Sequence, residues 1–359
     1  MNTLNETILH VDLKKLEQNF NYLKAKLKTN SKIIGVVKAF AYGHGDIKVS
    51  EKLSQLGVFA LWVSDFEEGV AIRESGIQTK IMVANPGMKS YHAIIKNQLD
   101  VVIYNYALLE LYCSNKHAVN IHIKFNTGMN RYGFEMKDIQ HIVTKIKNNP
   151  HLNLISICSH LAASNDKSQA AYTLSQIRKF DLISRKFELT IGKTVDKHLL
   201  NSSGLLNFTK YQLDGVRLGI GLYGSTEDKN LQQISCLSSV ITEIRDVEKN
   251  DAIGYSRSFV AKKNMKIAIV PVGYADGINR RFSNQNGSVF IGGSKCSIVG
   301  DISMDSFAVD VSQINAKEGD RVQLFGDKLT VIEIAKKINT IPYEIYATLN
   351  RRIKRVYSE

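Results

Sequence analysis

A chain of 359 residues with 44% apolar and 23% charged residues has the composition of a folded globular protein and is too long for one small core. Its formal charge of +13 would suit nucleic acid or a membrane surface, but the lysines are scattered and only Arg351-Arg352-Ile353-Lys354-Arg355 is dense. This reads as a solvated basic surface that also attracts anionic cofactors, with no nucleic-acid or membrane partner. Cys113, Cys158, Cys236 and Cys296 show neither C-x-x-C nor metal spacing, which fits a reducing compartment and no metal site. No secretory signal pattern and no bilayer-length apolar run are present, so the expected location is the cytoplasm.

Residues 7–12 read as a short strand. Asp12 is then a plausible N-cap, followed by Leu13, Leu16, Phe20, Leu23 and Leu27 at helical spacing. Strand-like apolar runs follow at 33–37, 58–63, 80–84, 101–104, 119–125, 154–160, 195–200 and 213–217. Helix-like segments lie between them: 47–56 ending at Gly57, 66–75 between Asp65 and Gly76, and 168–187 with Leu174, Ile177, Phe180 and Ile183 on one stripe. Eight strands alternating with helices predict an α/β fold, a (β/α)8 barrel, over residues 1–228. From about residue 229 the runs are mostly β: 235–247, 266–272, 288–291, 296–299, 306–311 and 321–325, with one helix-like stretch from Val331 to Ile338. Residues 229–359 are therefore expected to form a mainly β second domain.

Unusual polar residues fall where such a barrel does its chemistry, just past the strand ends. Lys38 follows the first strand, Arg131 lies in the loop after the fifth, and His160 ends the sixth. Asn201 and Ser202 follow the seventh, and Arg217 closes the eighth. Lys38 ends an apolar run, and burial there would lower its pKa and expose the amine as a nucleophile for a carbonyl; a lysine that merely reaches solvent is the plainer reading. The loops Asn201-Ser202-Ser203-Gly204 and Arg217-Leu218-Gly219-Ile220-Gly221 offer a hydroxyl and glycine-associated N–H groups, a reasonable anion cradle at the position barrels favour for phosphate.

Several segments resemble, in order, the motifs of the alanine racemases, a family of pyridoxal-phosphate enzymes. Val37-Lys38-Ala39-Phe40-Ala41-Tyr42-Gly43-His44-Gly45 is similar to V-K-A-N-A-Y-G-H-G, with Phe40 for the Asn. Lys124 to Gly133 resembles K-x-D-T-G-M-x-R-x-G, with Asn126 for the Asp. Pro271-Val272-Gly273-Tyr274-Ala275-Asp276-Gly277 matches P-x-G-Y-A-D-G, and Val299 to Asp305 resembles V-G-R-x-x-M-D with Asp301 for the Arg. Gly254-Tyr255-Ser256 inverts the family's S-Y-G, and Arg351 stands where the family has a phosphate-binding Tyr, a contact not carried over.

The resemblance implies pyridoxal 5'-phosphate carried on Lys38, its phosphate held by Tyr42, Ser202, Gly219 and Ile220, and Arg217 facing the pyridine nitrogen. Arg131 would contact the cofactor's phenolic oxygen and the substrate carboxylate, and Lys124 would be carbamylated to position it. His160 would link Arg217 to a catalytic phenol, Tyr274 would line the mouth of the site, and Met304 would lie near the substrate carboxylate. Racemisation needs acid/base groups on both faces of one carbon; Lys38 and Tyr255 are the implied pair. A phenol starts near a pKa of about 10, and the Arg217–His160 pair is suited to lowering it. In the family this tyrosine comes from the other subunit, implying a homodimer with composite sites. The resulting expectation is interconversion of L- and D-alanine, supplying D-alanine for peptidoglycan. The departures at Phe40, Gly254 and Asp301 keep open a racemase of broader, serine or basic amino-acid specificity. A non-enzymatic pyridoxal-phosphate-binding barrel would lack the β domain, and a decarboxylase is disfavoured by Arg217 and the absence of a Gly-Gly-Gly phosphate loop.

Overall fold

The computed structural model describes residues 6–359. Each expected barrel run forms a strand: Lys32–Val36, Ala60–Val63, Lys80–Val83, Asp100–Ile103, Val119–Lys124, Leu152–Cys158, Asp196–His198 and Gly215–Leu218. They pair in parallel, and the first pairs with the last through Ile34 opposite Arg217, so the sheet closes into a barrel. Side chains such as Ala60, Leu61 and Val63 are 0% exposed, as expected of parallel strands covered on both faces. Most of the strands are shorter than the apolar runs, and the others are shifted by one or two residues. Leu152–Cys158 stops two residues before His160, which stands in the following loop instead of ending the strand.

Helices fill the connections where capping signals predicted them. The Asp65 carboxylate accepts the Glu68 N–H at 3.1 Å and starts Phe66–Glu74. Ala170–Ile191 outruns its expected end by four residues and stops at Gly192, whose φ of 82° is the left-handed cap that glycine adopts without penalty.

By packing, the chain divides into two units. The barrel unit takes Glu17–Ala41 and Asp46–Leu222; the other takes Tyr223–Glu359, Tyr42–Gly45 and, of the described residues before Glu17, 6–16. The second unit is built on a nine-stranded sheet, in order Glu243–Val247, Met265–Val270, Phe307–Asp310, Ser294–Val299, Ser288–Ile291, Arg321–Phe325, Ser235–Val240, Ile8–Asp12 and Lys354–Ser358. All neighbours are antiparallel except the last two strands, which run parallel from Ile8 opposite Lys354 to Asp12 opposite Ser358. A two-stranded hairpin, Ala252–Ile253 with Phe259–Val260, stands apart from this sheet.

Within the β unit, the segment from Tyr42 to Gly45 is held by the chain's last strand. Arg355 Nε donates to the Gly43 carbonyl at 2.9 Å, and the Tyr357 hydroxyl donates to the His44 carbonyl at 3.0 Å. Gly45 has a φ of 101°, and a Cβ there would fall on the Tyr357 hydroxyl. Gly45→Ala is expected to cost about 3 kcal/mol, from a left-handed alanine plus the clash. Gly57→Ala, with a φ of 80° but nothing within 4 Å, should cost only about 1 kcal/mol. Urea unfolding of the two variants checks the difference; equal midpoints would remove the clash from the account.

Candidate active site

The barrel mouth is organised by the turn at the end of its first strand. Val37 N–H still donates to Trp62 O at 3.0 Å, and Lys38 is the next residue. The chain then enters the left-handed region for four successive non-glycine residues, with φ of 53° at Ala39, 56° at Phe40, 51° at Ala41 and 52° at Tyr42. Each such residue costs about 1–2 kcal/mol, so the turn needs outside support. Glu68 supplies part of it, accepting the N–H of Ala39 at 2.6 Å and that of Ser64 at 2.7 Å. Sequence reading missed this residue. Its signal was present, because Asp65-x-x-Glu68 has the spacing of a capping box, but the glutamate reaches the lysine turn instead of its own N-cap.

The Lys38 amine has its pKa lowered, first by burial and then by Arg131 and Arg217, while Glu68 opposes the shift. Its neutral fraction is thereby enlarged, and the neutral amine is the nucleophile.

Arg217 is 5% exposed, and its guanidinium carbon lies 5.3 Å from the Trp62 ring centroid. Its hydrogen bonds run to His198 Nδ1 at 2.6 Å, His160 Nδ1 at 3.1 Å and the carbonyls of His198, Ser159 and Leu199. All of these acceptors are neutral. His160 and His198 are held well below the usual histidine pKa by burial first and the Arg217 charge second, so both stay uncharged. His160 is thus brought to Arg217, as expected; the His198 contact was not foreseen.

Lys124 ends its strand 9% exposed, its pKa pushed down to about 8 by burial, with Arg217, Arg131 and Lys38 adding to the shift and Cys158 opposing it. The loop beyond it is pinned by Asn126, whose Oδ1 accepts the N–H groups of Gly128 at 3.0 Å and Asn130 at 3.1 Å. Its Nδ2 donates to Glu135 Oε1 at 2.7 Å. An aspartate there could keep the two acceptor contacts but would face Glu135 with like charge, so the amide suits this loop. Arg131 is exposed on the same loop and lines a cavity with Tyr104, Asn126 and Tyr132.

The two loops after the seventh and eighth strands meet through Ser202, whose buried Oγ accepts from Gly219 N and Gly221 N, both at 3.1 Å. Asn201 caps the following helical turn by accepting the Gly204 N–H at 2.8 Å. Ile220 is 3% exposed, and among the described residues its N–H has no acceptor in the chain. A buried unpaired donor is costly, and this one fits an anionic group such as a phosphate.

The other predicted residues belong to the β unit. The Tyr42 ring packs 4.9 Å from that of Tyr223 and 5.7 Å from that of Tyr343. Tyr255, 71% exposed, lies in the hairpin between Gly254, with a φ of 79°, and Ser256, with a φ of 57°. Tyr274 and Met304 are also exposed, and their loops are joined by Tyr274 N to Ser303 O and Ala275 N to Met304 O, both at 3.0 Å. Beneath them Arg352 pairs with Asp276 and Asp305, each at 2.6 Å. Those two motif aspartates therefore act as anchors for the loops. Asp301 is paired to Arg280 at 3.3 Å and accepts from Asn284 at 2.9 Å.

A parallel barrel that carries two weakly basic lysines, one past its first strand and one at the end of its fifth, and a serine-bridged pair of glycine-containing loops after its last two strands, has the form of a barrel enzyme. The family model for the alanine racemase N-terminal domain matches residues 11–227, and that for the C-terminal domain matches residues 234–357. The chain belongs to the alanine racemase family. It is 34% identical to alanine racemase 2 of Caldanaerobacter subterraneus subsp. tengcongensis, covering 98% of this chain and 94% of the relative. The structure of the alanine racemase of Clostridium difficile 630 superposes with a TM-score of 0.92 at 32% identity, covering 100% of this chain and 97% of that one. Another, from Bartonella henselae, is described with covalently bound pyridoxal phosphate; it has a TM-score of 0.89 at 27% identity, covering 98% and 99% of the two chains.

The Lys124 shift has a sign that stability can read. The ammonium has a pKa of 10.5 when unperturbed and about 8 in the fold, so the native state bears the cost of a buried charge below pH 8. That cost falls away as pH rises through the window from 8 to 10.5. Lys124→Met is expected to raise unfolding stability by about 2 kcal/mol at neutral pH in buffer stripped of carbon dioxide, with the gain shrinking at alkaline pH. A gain independent of pH would overturn this.

Proposed function

We propose that the protein racemises alanine, interconverting its L- and D-enantiomers with pyridoxal 5'-phosphate carried on Lys38. The observation that carries this reading is the depressed, half-buried amine of Lys38 at a barrel mouth shared with Arg131 and Arg217. Membership of the alanine racemase family over nearly the whole chain points the same way. When bound, the cofactor supplies an electron-withdrawing ring that acidifies the substrate's α-hydrogen.

The residues present fit that group. The neutral amine of Lys38 is the nucleophile for its carbonyl. Its phosphate is assigned to the unpaired Ile220 N–H, to Gly219 and Ser202, and to the phenol of Tyr42, which burial keeps protonated as a donor. Asn201 shapes that loop through its cap on Gly204. Arg217 is assigned to the ring nitrogen. Its fixed guanidinium charge would disfavour a proton on that nitrogen. His160, neutral and bound to Arg217 through Nδ1, keeps its Nε2–H to orient a phenol.

Lys38 and Tyr255 are proposed as the opposed bases: one takes the α-proton from its face while the other delivers its own proton to the opposite face, which inverts the centre. Tyr255 is 71% exposed on the β unit, with Tyr274 at 43% and Met304 at 53% beside it in sequence motifs. Aromatic and apolar exposure of that kind supports a second copy of the chain as its cover, and hence a homodimer with composite sites. Arg131 is assigned to the substrate carboxylate. Lys124, near half-neutral at pH 8, is set to take up carbon dioxide as a carbamate that would fix the Arg131 guanidinium. The D-alanine formed would serve peptidoglycan synthesis.

Lys38→Ala should abolish turnover of both enantiomers and remove the visible absorbance of lysine-bound cofactor; retention of that band would mean another residue carries it. Tyr255→Phe should slow α-hydrogen exchange with deuterated water from one enantiomer far more than from the other. Equal losses would sink the two-base assignment.

A further inference from the structure

Behind Arg217 a buried polar chain runs from strand to strand around the barrel. Arg217 Nη1 lies 2.6 Å from His198 Nδ1, and His198 Nε2 lies 3.0 Å from Ser156 Oγ. Ser156 Oγ lies 2.6 Å from His122 Nδ1, and His122 Nε2 lies 3.4 Å from Asp100 Oδ2. The other Asp100 oxygen accepts from Asn120 Nδ2 at 2.9 Å. His198, Ser156, His122 and Asp100 are between 0% and 4% exposed. The members come from five successive barrel strands, one from each.

The two ends fix the direction of every proton. A guanidinium only donates and a carboxylate only accepts. His198 accepts at Nδ1, so its proton sits on Nε2 and is donated to Ser156. The Ser156 hydroxyl then donates to His122 Nδ1, and His122 carries its proton on Nε2 towards Asp100. Were His122 an imidazolium, Ser156 would receive two donors and its own proton would have no acceptor in the interior, an outcome buried polar groups avoid.

We propose that Asp100, His122, Ser156 and His198 are positioning residues that orient Arg217 through one proton-ordered chain and place its balancing carboxylate four hydrogen bonds away. A carboxylate directly on Arg217 would offset the positive field at the mouth; the relay holds the guanidinium rigidly without doing so. The proton order stands on geometry alone, while its consequence for the cofactor rests on the racemase reading.

Nitrogen-15 NMR of histidine-labelled holoenzyme tests the order, with resonances assigned by their loss in His122→Gln and His198→Gln. Both rings are expected as Nε2–H tautomers. An Nδ1–H tautomer or an imidazolium at either position overturns the proposal, whether or not alanine is the substrate. Asp100→Asn keeps the shape but lets an amide donate. It should shift the visible absorbance of the bound cofactor and lower kcat by about tenfold, with KM little changed. A folded Asp100→Asn protein with wild-type spectrum and kcat would overturn the positioning role. Should that variant not fold, the tautomers of the unaltered holoenzyme still decide the order.

Discussion

The backbone beyond Lys38 must run left-handed for four residues, and much of the molecule is arranged around holding it there. At about 1–2 kcal/mol per residue the turn costs roughly 4–8 kcal/mol, comparable with the whole stability of an ordinary domain. The hydrogen bonds that offset it come from distant parts of the chain. Glu68 grips the turn at Ala39, while Arg355 and Tyr357 grip its continuation at Gly43 and His44. The result is a reactive amine whose backbone is fixed immediately on its C-terminal side, the kind of rigidity that positioning a nucleophile demands.

Charge at the barrel mouth obeys one pattern. Lys38 and Lys124 are both made less basic, by burial first and then by the nearby Arg131 and Arg217 charges, while Glu68 opposes the Lys38 shift. The histidines bound to Arg217 respond by staying neutral. A site short of negative charge suits a ligand that brings its own, as a phosphate-bearing cofactor and a carboxylate-bearing substrate both do.

The barrel was legible in sequence because apolar-rich runs alternated with helical spacing, and helices such as Phe66–Glu74 began at a capping residue. The proposed site residues could be picked out because that fold collects polar groups past its strand ends. What sequence did not display were partnerships between residues far apart in the chain. Ser156 and His122 look like ordinary strand residues until register places them side by side between His198 and Asp100. Likewise nothing local to residues 8–12 announces that this strand lies between Ser235–Val240 and Lys354–Ser358. Asn126 was a departure from the family pattern with no evident reason, and its reason, Glu135, lies nine residues on in a loop whose shape the amide itself sets.

The parallel pairing of Ile8–Asp12 with Lys354–Ser358 also bears on how the molecule is made. A ribosome releases the first of these strands hundreds of residues before the second. Every barrel strand, by contrast, is synthesised by residue 218. During translation the early strand therefore waits with an unpaired edge, the state most exposed to mispairing with other chains. The same late strand carries Arg355 and Tyr357, so the segment after the reactive lysine gains its full support only as synthesis of this strand is completed.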